Sequence, residues 1–70
     1  MNHDETINLL ASEYQKVGQP DFVLVVPTID FRSLLTSLRH IIIAGMISSY
    51  DILDEDACTV KIYGYIPPQP

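Results

Sequence analysis

Few side chains in this 70-residue chain are able to do chemistry, and their spacing decides what chemistry that would be. An imidazole such as His40 suits a general base, because imidazoles titrate near neutrality. The role also requires an oriented nucleophile or carboxylate within hydrogen-bond reach. Along a helix His40 has Ser33, Thr36 and Ser37 nearby and no acid, so it reads as a surface or interface histidine. His3 belongs to a frayed end. Cys58 is the single cysteine. A reactive thiol needs a base or a cationic setting, whereas Cys58 falls on the apolar side of a strand pattern and reads as a small core residue.

Asp51, Asp54, Glu55 and Asp56 form an acidic cluster. Clustered carboxylates attract hard cations, but the regular alternation and glycine of a calcium loop are missing. Aspartate and glutamate are also ordinary turn residues. The cluster therefore reads as a solvated turn, or as a docking patch for basic groups of a partner. Arg32 and Arg39 are seven residues apart, on one flank of a helix. Two arginines can grip a phosphate or carboxylate, but they are too few for a nucleic-acid surface. They read as exposed charges or as partners of the acidic turn. Lys61, Tyr63 and Tyr65 faintly resemble a base-stacking face without its basic groove. Tyrosine is equally a residue of protein interfaces. No catalytic, cofactor or metal site is expected.

The elements that must position these groups follow from hydropathy. Ile7, Leu10, Ala11, Tyr14 and Val17 make a helical stripe over residues 4–17, leaving Leu9 off it as a contact residue. Asn2 or Asp4 is available as N-cap, and Gly18 and Pro20 end the helix. Phe22 to Val26 is a continuous apolar run between prolines, which suits a strand buried on both faces or a central strand. Phe31, Leu34, Leu35, Leu38, Ile41, Ile42 and Gly45 make the core stripe of a second helix, capped by Thr28 or Asp30 and running to about Ala44. Ile43 and Ile47 fall outside that stripe. Either a partner covers them, or the helix stops at Gly45 and they join a sheet. Residues 48–53 suit a short strand and Asp54–Asp56 a turn. In the strand 58–66, Cys58, Val60, Ile62 and Ile66 face one way, and Thr59, Lys61, Tyr63 and Tyr65 the other.

The expected fold is a small α+β (small α/β) unit of order helix-strand-helix-strand(-strand). Two helices pack on one face of a two- or three-stranded mixed sheet. Residues 1–66 form one domain and 67–70 a proline-rich extended tail. A core this small is marginal, since such a chain hides only about 60% of its unfolded surface. With no disulfide possible, oligomerisation is the stabilising device that remains. The net charge of −5 argues against direct binding of nucleic acid or anionic membrane. The polar N-terminus and short apolar runs point to a cytoplasmic protein, of the host cell if the chain is viral or from a mobile element.

These features lead to an expected role as a small acidic protein–protein interaction module. It would act as a homodimer, or as a binding inhibitor or regulator of a larger protein, and not as an enzyme. The expected contact residues are Ile43, Ile47, His40, Tyr63, Tyr65 and Lys61, with Asp51, Asp54, Glu55 and Asp56. The alternative is a nucleic-acid mimic that presents carboxylates in place of phosphates. A small enzyme ranks third, since His40 or Cys58 would have to meet an acidic partner in the fold.

Overall fold

A computed structural model describes residues 1–68. The tail expected at 67–70 therefore lies partly outside the described residues. Helix α1 covers His3–Val17. Asn2 is its N-cap and forms a reciprocal capping box with Glu5, which satisfies two backbone donors that a helix start leaves open. At the other end Gly18 is left-handed, and its N–H donates to the Tyr14 carbonyl at 2.7 Å. Leu10 and Thr6 are its fully buried residues. Leu9, expected off the stripe, packs partly against the core. Val17, expected on it, is exposed at the helix end.

Strand β1 is Phe22–Val25, and helix α2 is Thr28–Ile43. Neither Thr28 nor Asp30 caps α2. Pro27 occupies the cap position in extended geometry without a side-chain bond, because the helical turn already includes Thr28. Asp30 lies in the first turn, where a carboxylate opposes the helix dipole favourably. The C-terminus closes as a Schellman motif. Gly45 has φ of 79°, its N–H donates to the Ile42 carbonyl, and the Met46 N–H donates to the Ile41 carbonyl.

Strands β2 (Ser49–Asp54) and β3 (Thr59–Tyr63) complete a three-stranded sheet of order β1-β3-β2. Both pairings with β3 are antiparallel. The expected mixed sheet is therefore antiparallel throughout. The α2 crossover does join strands of like direction, β1 and β2, but β3 lies between them. The expectation for β1 is corrected as well: it is an edge strand, buried on alternate residues only. A register shift between Ile52 and Asp54 adds a residue to β2 and bends its end.

Helices α1 and α2 cover one face of this sheet. Leu34, Leu38 and Ile41 from α2, with Leu10 from α1, share a core with Leu24, Val60 and Ile62. Gly64 shapes the exit from β3. Its φ is 68°, and its N–H donates to Asp21 Oδ1 at 2.9 Å. A Cβ at this position would collide with the Ser48 side chain. Gly64→Ala is therefore expected to cost about 1–3 kcal/mol, by adding left-handed strain to that collision. Urea denaturation measures this, and an unchanged midpoint would remove the role assigned to the glycine.

Candidate functional site

The helices leave the second face of the sheet uncovered. Strand alternation and the register place three residue rows on it. Val23 opposes Lys61, which opposes Asp51. Val25 opposes Thr59, which opposes Asp54 across the bulge. Ser49 opposes Tyr63. The valines of β1 are 42% and 69% exposed, which is high for strand residues of this type. The face thus grades from aliphatic on β1, through one cation on β3, to carboxylates on β2.

Lys61 and Tyr63 stand two residues apart on the same side of β3. The Lys61 Nζ lies 5.2 Å from the Tyr63 ring centroid, within the range in which an ammonium is attracted to an aromatic face. The Tyr63 hydroxyl is held above the ordinary tyrosine pKa, first by partial desolvation, then by the Asp51 carboxylate, with a smaller push from Asp21. It remains a neutral donor and acceptor at physiological pH. The face can therefore offer aliphatic contact, an ammonium, a phenol and carboxylates, which are the groups of a docking surface.

Two expected contact residues do not belong to any surface. Tyr65 is buried, with its ring 5.2 Å from that of Tyr14 and 5.7 Å from that of Phe22. The strand ends at Tyr63, and the left-handed Gly64 then reverses the side-chain alternation. Ile66 accordingly turns outward, against expectation. Among the described residues the Tyr65 hydroxyl finds no hydrogen-bond partner. Burial, and to a lesser degree Tyr14, raises its pKa above the usual 10.0. Ile47 is also a core residue. The helix stops at Ile43, and the turn at Gly45 carries the following chain back into the core. Ile43 itself is 82% exposed.

The remaining expected residues are divided. Asp54 Oδ1 accepts the N–H groups of Asp56 and Ala57 at 3.0 and 3.1 Å, so this carboxylate builds the turn. Asp51, Glu55 and Asp56 are exposed. His40 is exposed, and its ring meets His3 edge-on at 6.2 Å between centroids. Cys58 is buried, and its thiol sits 3.8 Å from Thr28 Oγ1. Among the described residues, no group of three or more His, Cys, Asp or Glu side chains is placed to hold a metal. No described helix is long and apolar enough to cross a membrane.

Val23 and Val25 were missed because the apolar run Phe22–Val26 carries no alternation in residue type. Every position in it is hydrophobic, whichever face is covered. Compared with known family models, curated proteins and solved structures, the chain has no match in any of the three.

Ile43 and Ile47 predict opposite behaviour for the same change. Ile47→Asp strands a charge in the core and is expected to unfold the protein at room temperature. Ile43→Asp buries no charge but sets a carboxylate in the last turn of α2, and is expected to cost no more than about 1 kcal/mol, leaving the fold intact. Circular dichroism with urea titration distinguishes them. Tyr65→Phe removes a buried hydroxyl that lacks a partner, so stability should hold or rise by up to about 1 kcal/mol. The raised pKa favours the neutral phenol in the fold. Stability from this group is thus complete below the ordinary tyrosine value and falls as pH climbs above it. Thermal unfolding across alkaline pH should show a shallower decline in Tyr65→Phe than in wild type.

Proposed function

We propose that this protein is a protein-binding module that docks the uncovered face of its sheet onto a larger protein, as an inhibitor or regulator does. The observation that carries this reading is the exposure of Val23 and Val25 beside Lys61 and Tyr63, on a face that no helix covers. Buried apolar surface supplies most of the driving force of association. Tyrosine and a neighbouring cation supply orientation and specificity.

Charge arrangement favours a different protein over a second copy. A two-fold axis running across the strands would set Lys61 on Lys61 and Asp51 on Asp51 of the copy. An axis running along the strands would set the valines of β1 on the aspartates of β2. Both pairings work against self-association, since like charges repel and desolvated carboxylates need partners. A partner with an aliphatic patch and a basic group opposite Asp51 meets neither objection. Size adds a condition. Three strands of four to six residues present only about 14 by 17 Å, below the roughly 800 Å² per side of a stable complex. The partner must therefore also reach the strand edges. The nucleic-acid mimic draws less support, because Asp54 is engaged in its own turn and the face carries Lys61 at its centre.

The test compares wild type with Val25→Asp and Tyr63→Ala, both surface changes that should leave the fold intact. Light scattering should report a monomer. Proteins retained from native extract by immobilised wild type should be reduced at least tenfold by each variant, a loss of about 1.4 kcal/mol. Equal retention by all three proteins would overturn the sheet-face reading. A dimeric mass lost in Val25→Asp would return the function to self-association.

A further inference from the structure

The outer face of α2 carries Ile29, Arg32, Thr36, Arg39 and Ile43, spaced alternately by three and four residues. All five are exposed, and Ile29 at 89% and Ile43 at 82% are the most exposed large hydrophobic residues described. This is the spacing of a helix-pairing seam, in which alternate steps of three and four keep side chains on one line. From Ile29 to Ile43 the seam runs about 21 Å at the helical rise. Along its flank lies a groove of about 420 Å³, floored by Phe31 and Leu35 and walled by Arg32, Arg39 and Glu55.

The cations on this seam are the chain's only two arginines, half of its four Lys and Arg residues. The ion pairs among the described residues are Met1 with Asp30 and Lys16 with Glu13, so neither arginine is engaged. Glu55 reaches the groove but forms no ion pair with either arginine. An acidic chain thus holds two free guanidiniums in line between two bare isoleucines.

We propose that this seam docks an amphipathic helix of a protein partner. The helix meets Ile29 and Ile43 with aliphatic side chains near its ends, and Arg32 and Arg39 with carboxylates near its centre. Charge complementarity selects this occupant. A second copy of α2 is excluded, because parallel pairing sets Arg32 on Arg32 and antiparallel pairing sets Arg32 on Arg39. Helix α1 of a second copy shows Asp4, Asn8 and Ser12 outward and has no aliphatic row for the isoleucines. A basic helix is repelled at both arginines. The seam lies on the far side of α2 from the core, whereas the uncovered sheet face lies beyond the sheet. The two surfaces are therefore separate, and this inference stands independently of the sheet-face reading.

The test uses the intact protein and two synthetic helical peptides of 21 residues. Both carry leucine at the positions facing Ile29 and Ile43. One carries glutamate and the other lysine at the positions facing Arg32 and Arg39. In fluorescence anisotropy the glutamate peptide should bind at least tenfold more tightly, and added salt should narrow the gap. The double variant Arg32→Glu with Arg39→Glu should reverse the preference. Ile29→Asp should weaken both peptides, and Val25→Asp should change neither, with circular dichroism confirming the fold of each variant. Equal affinity for the two peptides would overturn the proposal. So would a glutamate preference that survives the double variant, or no binding of either peptide at millimolar concentration.

Discussion

Strand β3 is the constraint on which the rest of the structure depends. β1 and β2 never pair with each other, so each reaches the sheet only through β3. This strand is also the last regular element among the described residues. Its pairing with β1 joins Phe22 to Ile62 across α2 and β2, a contact whose loop must be closed before any ladder bond rewards it. The short turn at Asp54–Cys58 eases half of the task by placing β2 alongside. Asp54 caps that turn, and Cys58 takes the left-handed conformation that returns the chain into β3.

The same strand sets core and surface back to back. Val60 and Ile62 are fully buried under the helices, while Thr59, Lys61 and Tyr63 face the other way. With two helices of 15 and 16 residues, the chain has enough helix to cover one face of its sheet and no more. A single layer of helices over a sheet leaves the opposite face to solvent or to a partner. The exposed valines of β1 and the exposed isoleucines of α2 are thus consequences of one limit. A chain of this size cannot bury all the apolar residues that its elements carry.

Local signals were legible because the interactions that enforce them are local. Asn2 or Asp4 marks one helix start, Gly18 and Gly45 mark two helix ends, and the stripe Leu34–Leu38–Ile41 marks the core side of α2. Each depends on residues within a few positions of one another. The fold class and element order followed from them. The candidate surfaces were legible only in part. Lys61 and Tyr63 were placed together by strand alternation, and Ile43 stood out by its phase. Ile29 was overlooked, although its spacing to Arg32, Thr36, Arg39 and Ile43 is readable. The strong core stripe on the neighbouring face drew the reading away from it.

By itself, the sequence determined the small α+β class, the order of its elements, the stop of α1 at Gly18 and the acidic character of the chain; the start of α2 and the middle strand were left open. Only the tertiary structure decided that β3 lies between β1 and β2, which made β1 an edge and exposed Val23 and Val25. It also decided the fates of Tyr65 and Ile47. A glycine signals that the chain can turn, but the direction taken depends on distant groups: Asp21 for Gly64, and the core beneath α2 for the segment after Gly45. Periodicity reports which residues share a face of one element. Which face is covered is a contest among elements for a limited core, and distant contacts decide it.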